Sequence, residues 1–457
     1  MRDDAALSDT ERDVLTLASI ASPLPLAVVQ AVLGLDDTEA SDLVDRLAAE
    51  NAINVDRRGL TADDPGAPAA RRSILATRLL EQLDERDGAH GLKAPAAWAA
   101  GLSDRAFDEY RSAILESKTE LSPLLDGAIA AGEESGVADG ELASMRVLRA
   151  RARRNRGESV AAMDDLEAAL GHLEGADLVD ALAFAGAVED DMQHPSDAER
   201  YVAMGMLVAG EHHLLDKLGS LATLHGRVLA RVGFSQEADD SFERGLALVE
   251  AHGSDVQHFY ASLNQAWTAF DRGWMNQAEQ GYAAALSKAE QIESAVSAAD
   301  KEIALARARF GSGDAARALE GIARARTVAA RTEAPVLEFL ATIAEVEGAL
   351  LYERPSEAKE SVARLRTIVE ASFPAWMNRL ATLQARVHLQ SGDRQAARRA
   401  VKEGLEATPY GANGARLRAE LQAIEHAASD PWSSQQAAEL NDRIIQAGWL
   451  GLAAWFM

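Results

Sequence analysis

A recurrence every 40 residues or so is the strongest constraint on what this 457-residue chain can fold into. In the stretch GFSQEADDSFERGL, Gly233, Ala238, Phe242 and Gly245 stand at set separations. One period on, GWMNQAEQGYAAA supplies Gly273, Ala278, Tyr282 and Ala285, and the next period supplies Gly313, Ala318, Ile322 and Ala325. Ala358, Val362 and Leu365 follow, with Pro355 at the turn, and then Gly392, Ala397, Val401 and Gly404. Reading backwards adds Ala198, Val202 and Gly205, and before them Ala162, Leu166 and Ala169, which makes seven units. One such unit cannot bury its own apolar face, so a period of this size means a stacked array.

Within a unit the spacing i, i+4, i+7 is one face of a helix. The Gly before it fits the left-handed cap that ends a preceding helix, so each unit reads as a helical hairpin. Two helices of about 17 residues and two short turns fill the period. Pro195, Pro335, Pro374 and Pro431 stand at expected helix starts, where a missing N–H does no harm.

The pattern resembles the tetratricopeptide repeat (TPR) family. The family's small residue in the first helix is matched by Gly186, Gly226 and Ala266. Its Ala–aromatic–Ala trio is matched by Ala238, Phe242 and Gly245, and by Ala278, Tyr282 and Ala285. The period is longer than the family's usual one and the family's Trp is missing.

The first 90 residues differ. TERDVLTLASIAS, PLAVVQAVLG and DTEASDLVDRLAAEN read as three short amphipathic helices, and AINVDRRGLTA as a β-hairpin turning at Arg58-Gly59. Helix–helix–helix–wing is the winged-helix order. A long helix, APAARRSILATRLLEQLDER, then leads through a Gly- and Ala-rich stretch near 87–103 to entry hairpins carrying Ala106, Tyr110 and Ala113. This succession resembles the middle of the large LuxR-type or MalT-like regulators of the STAND class. There a winged helix precedes a TPR-like sensor. The expected architecture is all-α: a winged-helix domain at 1–62, a linker helix and irregular hairpins at 63–138, a TPR-like superhelix at 139–410, and capping helices at 411–457. No G-x-x-x-x-G-K-[ST] phosphate loop occurs, and no C-terminal helix-turn-helix is recognisable, so a stand-alone sensor or a piece of a longer regulator is expected.

Composition narrows the function. A formal charge of −26 repels nucleic acid and anionic membranes. The stretch from Asp36 to Glu50 carries six acids against one base, Arg46, which makes a poor recognition helix. Only Arg57 and Arg58 at the wing argue for DNA. Without cysteine there are no disulfides, thiolate sites or Cys nucleophiles. The N-terminus lacks an apolar signal core and no run approaches a membrane span, so a cytoplasmic chain is expected.

Hydrolase motifs are absent and no enzyme activity is expected. Glu211–His213 and Glu189–His194 offer metal-ligand types without a third partner, so neither metal nor cofactor is expected. The resemblance to TPR proteins puts ligand-facing positions on the first helix of each hairpin. Carried over, these are Arg151, Arg227, Arg307 and Arg386, with Trp267 at the same position of its own repeat and Arg231, Phe270 and Phe310 at neighbouring offsets. An arginine row would grip a carboxylate-rich peptide or a phosphorylated ligand, aromatics its apolar parts. The competing reading pairs these arginines with acids such as Asp180, Asp190 and Asp191.

The expected function is therefore sensing of a small molecule, peptide or protein within a LuxR/MalT-like regulator. A protein-assembly scaffold and a peptide-responsive regulator binding DNA through its own winged helix are the alternatives. The apolar C-terminus, GWLGLAAWFM, is expected to cover the last hairpin or to serve a homo-oligomer.

Overall fold

The computed structural model describes residues 7–447, apart from 51, 57–58, 85, 87, 117–121, 293–294, 333, 410 and 430–433. The chain divides into two compact units, Met1–Ala152 and Arg153–Met457. The expected wing arginines, Arg57 and Arg58, the helix start at Pro431, and the apolar C-terminus lie outside the described residues.

The first unit opens with α1 (Asp9–Ile20), α2 (Leu26–Leu33) and α3 (Asp37–Ala49), followed by β1 (Asn54–Val55) and β2 (Leu60–Thr61). Local chemistry sets these boundaries. Ser8 with Glu11, and Asp36 with Glu39, form capping boxes that satisfy the first amides of α1 and α3. Gly34 ends α2 in the left-handed region. The two strands pair antiparallel, Asn54 with Thr61 and Val55 with Leu60, and Leu24 exchanges both backbone hydrogen bonds with Leu60 at 2.9 Å. Gly59 is obligatory at that crossing, since a Cβ there would lie 2.6 Å from the Leu24 carbonyl.

Next come α4 (Ala69–Asp84), α5 (His90–Ala99), α6 (Ser103–Glu116), α7 (Ser122–Ser135) and α8 (Asp139–Asn155). The stretch near 87–103, read from sequence as a connector, contains α5. Its Ala94, Ala96 and Ala97 are fully buried, so side-chain smallness there serves close packing on α6. One core runs through the unit, from Val14 and Leu17 through Leu43, Leu47 and Leu60 to Leu75, Leu79, Phe107 and Tyr110.

The second unit takes the end of α8 and pairs it with α9 (Ser159–Leu170). Hairpins follow: α10 (Gly175–Asp191) with α11 (Pro195–Glu211), α12 (Leu215–Val232) with α13 (Ser235–His252), α14 (Asp255–Asp271) with α15 (Met275–Ile292). They continue as α16 (Ala295–Ser312) with α17 (Ala315–Thr332), α18 (Pro335–Leu351) with α19 (Pro355–Ser372), and α20 (Met377–Gln390) with α21 (Arg394–Ala407). Last are α22 (Ala415–Ala428) and α23 (Ser434–Gln446). Residues Gly157, Gln193, Gly233, Gly273, Gly313, Glu353 and Gly392 have positive φ and sit at the seven hairpin turns. Pro195, Pro335 and Pro355 open their helices, and Pro374 opens a short 3-10 turn.

The recurring small residues are where backbones meet. A Cβ on Gly226 would lie 2.9 Å from the Ala238 carbonyl, and one on Gly245 would lie 2.8 Å from the Thr223 amide. Ala238, Ala278, Ala318, Ala358 and Ala397 are fully buried, and the bulkier Phe242, Tyr282, Ile322, Val362 and Val401 fill the gaps beside them.

First helices pack on the first helices of the next hairpin, as α10 on α12, α12 on α14, and α16 on α18. They therefore form a continuous inner layer. The winding within this unit is tight enough for distant hairpins to touch. Asn413 accepts a hydrogen bond from the Ser196 amide at 2.7 Å and donates to Asp197 at 2.8 Å, and the Phe373 ring packs against Gly157. Among the described residues, no helix is long and apolar enough to cross a membrane.

Candidate partner-binding face

The inner helices of the second unit carry charges whose sign alternates from one hairpin to the next. Arg154 on α8 donates to Asp191 on α10 at 2.7 Å. Asp190, also on α10, receives Arg227 at 2.6 Å and Arg231 at 2.5 Å, both from α12. Asp271 at the end of α14 lies 4.0 Å from Arg231 and 2.9 Å from Arg416 of α22. Arg307 on α16 binds Glu347 of α18 through two nitrogens, at 2.7 and 3.1 Å. Arg379 on α20 bridges Glu347 at 2.9 Å and Glu420 of α22 at 2.8 Å, and Arg386 lies 3.7 Å from Glu420.

The network fixes charge states. Burial alone would raise the Glu347 carboxyl, but Arg307 and Arg379 outweigh it and hold it down at about 2. Burial likewise opposes ionisation of Asp271, and Arg416 and Arg231 prevail. Arg386 moves the other way: burial lowers it to about 10, Glu420 opposing and Arg379 adding to the fall. Two-sided pairing of this kind leaves few guanidinium donors for a ligand.

Aromatic faces stand beside this ladder. Arg307 lies over the rings of Trp267 and Phe270, 5.7 and 4.6 Å from their centroids, and Arg154 over Phe184 at 5.8 Å. Trp267 meets Tyr282 edge-on at 5.5 Å. Phe184, Trp267 and Phe270 are half-buried and Tyr260 on α14 is 43% exposed, so the inner face presents aromatic surface to solvent. The Tyr282 hydroxyl is buried without a hydrogen-bond partner, and burial pushes it well above the usual phenol range.

Of the residues expected to face a ligand, the structure gathers Arg227, Arg231, Trp267, Phe270 and Arg307 on this inner layer. Phe310 is elsewhere: its ring is 6% exposed, against Gly348 and 6.2 Å from Tyr352, because its helix turns that position towards the neighbouring hairpin. Arg386 is buried beside Glu420. Arg151 is an exposed residue of the first unit, and Arg154, three positions on, takes the inner place. Of the acids named as partners for these arginines, Asp190 pairs with two of them, Arg227 and Arg231, whereas Asp191 pairs with Arg154 and Asp180 with Lys217 at 2.6 Å. Asp271, Glu347, Glu420, Arg379 and Arg416 went unseen. The missed signal is sign alternation at one period, Asp191–Arg231–Asp271 and Arg307–Glu347–Arg386.

No protein-family model and no curated sequence matches the chain. Among solved structures, it is similar to a Rap protein complexed with competence and sporulation factor, at 14% identity and a TM-score of 0.51, covering 77% of this chain and 94% of that one. It is also similar to the Rap conjugation gene regulator of plasmid pLS20 in complex with the Phr* peptide, at 14% identity and a TM-score of 0.50, covering 79% and 93%. A STAND protein with a tetratricopeptide repeat sensor from Pyrococcus horikoshii matches with a TM-score of only 0.37 at 13% identity, covering 93% of this chain and 66% of that one. At such identities the likeness concerns architecture, and that architecture is a TPR-like array of helical hairpins.

Proposed function

We propose that this protein is a binding scaffold whose second unit receives an extended peptide, or an extended segment of a partner protein, on the inner helices. The carrying observation is the solvent-facing aromatic row Phe184, Tyr260, Trp267 and Phe270, set among charges that are already neutralised. Because each arginine of the row is answered by an acid, aromatic contact with apolar side chains supplies the grip, and polar groups set orientation. The pLS20 Rap structure holds a peptide, which agrees with this use of the fold. The role is recognition without catalysis.

The test is selection of a displayed peptide library on the full chain, followed by affinity measurement. Enriched peptides should quench tryptophan fluorescence and lose about tenfold or more in affinity with Trp267→Ala/Phe270→Ala, the scale of a truncated interface anchor. Enriched peptides that bind the double variant unchanged, or no enrichment at all, defeat the proposal.

A second reading makes the chain the sensing part of a LuxR/MalT-like transcriptional regulator. The order of α1, α2, α3 and the β1–β2 hairpin favours it, being that of a winged helix. DNA binding by that element meets an obstacle: Asp37, Glu39, Asp42 and Asp45 all lie on the exposed side of α3. A gel shift that weakens with salt would establish a DNA contact, and its absence would leave docking as the element's role.

A further inference from the structure

The turn between α10 and α11 brings together three groups that sequence spacing left as two. Glu189 sits in the last turn of α10, His194 caps α11, and Asp197 lies in the first turn of α11. One ligand atom from each falls within 4.8 Å of the others. His194 Nδ1 is 2.9 Å from a Glu189 oxygen, and the Glu189 side chain is only 12% exposed. We propose that Glu189, His194 and Asp197 form a binding site for one divalent transition ion of the zinc class, water completing the coordination.

The donor set suits such an ion. One imidazole with two carboxylates favours zinc, nickel or manganese over magnesium, which prefers oxygen ligands alone and keeps its waters. The turn holds the donors in place. Gln193 at φ 67° reverses the chain, the His194 amide donates to the Glu189 carbonyl at 2.9 Å, and the Ala198 amide donates to the His194 carbonyl at 3.0 Å. Asn413 donates to one Asp197 oxygen at 2.8 Å, an outer contact of the sort that orients a metal-binding carboxylate. Arg200, 3.9 Å from the same side chain, is a cation that would compete for Asp197.

The array itself does not require these residues. One period on, the three positions hold Leu229, Phe234 and Glu237, and then Ala269, Trp274 and Gln277. The later hairpins have Arg309, Asp314 and Arg317, then Ala349, Arg354 and Glu357, then His388, Asp393 and Ala396. Three ligand types coincide at this one turn of the aligned series.

The experiment uses the full chain, stripped with chelator and dialysed, then titrated calorimetrically with zinc, nickel and magnesium chlorides. Zinc or nickel should bind at one equivalent more in the wild type than in His194→Gln, and magnesium should bind no more. Glu189→Gln, on the other helix, should weaken that equivalent about tenfold or more, as should Asp197→Asn. The paired variant His212→Gln/His213→Gln, at the exposed turn after α11, should leave it unchanged. Circular dichroism of each variant separates lost ligation from lost folding. Equal zinc binding by wild type and a folded His194→Gln, or a loss caused by the His212/His213 variant alone, overturns the assignment.

Discussion

The two units solve the burial problem differently. Met1–Ala152 gathers its apolar residues into one connected core. Arg153–Met457 divides them into a chain of small clusters, such as Phe259–Tyr282–Leu305, Ile303–Ile322–Leu337 and Phe339–Val362–Leu383, each shared by adjacent hairpins. The first arrangement joins its helices through a single shared cluster. The second ties each hairpin mainly to its neighbours, with a few longer-range clasps such as Asn413 on Asp197 and Arg416 on Asp271. The alternating ion pairs then serve to fix which neighbour meets which. A slip of one helix would place Asp190 opposite no cation, which would cost far more than any pair gains.

The largest effect should come from the cores. Phe339 is 2% exposed and stacks on Phe373 at 4.3 Å, so Phe339→Ala should cost about 3–5 kcal/mol. By native-state hydrogen exchange, protection should fall in α18–α20 and persist in α12 and α13. Leu47→Ala, at a fully buried position, should cost about 3 kcal/mol and lower protection throughout α1–α4 together. Equal spread of the two losses would erase the contrast between the units.

Next in size is the ladder. Glu347→Gln leaves Arg307 and Arg379 facing a neutral amide, with an expected loss of about 2–3 kcal/mol in urea titrations at neutral pH. Its pH dependence follows from the lowered carboxyl. The unfolded chain takes up the proton near 4.5 and the folded chain only near 2. The stabilisation is therefore complete above the higher value and disappears as pH falls through the lower. The slope of stability between pH 5 and 2 should flatten in the variant, and an unchanged slope would remove Glu347 from the account.

The smallest effects lie at the turns. Gly233 has φ 107°, so Gly233→Ala should cost about 1 kcal/mol. Glu353 occupies the matching turn at φ 53°, and Glu353→Gly should be neutral or stabilising by under about 1 kcal/mol. Thermal unfolding of the pair measures both signs.

The array was legible because packing writes itself into sequence as small residues at one period. Gly226 and Ala238 face each other as their spacing implied, and the three short helices before the β1–β2 hairpin lie where their amphipathic pattern put them. The inner face was only half legible. An arginine at a ligand-facing offset looks alike whether it points at a partner or at an acid one hairpin away, and Arg307 does the latter. Phe310 illustrates the limit: at 3.6 residues per turn it stands roughly 60° round the helix from Arg307, and its ring is buried in the core. Asp197 escaped as a companion of Glu189 and His194 because a turn, rather than a helical period, joins it to Glu189.

The grip of Asn413 on Ser196 and Asp197 reaches across 217 residues. Neighbouring hairpins can zip up in any order, since their contacts are short-range in the chain. This clasp cannot close until every intervening hairpin has taken its share of the curvature. It is thus a seam that reports on the whole spiral, and one misfolded hairpin in the middle would be felt as an open seam far from the fault.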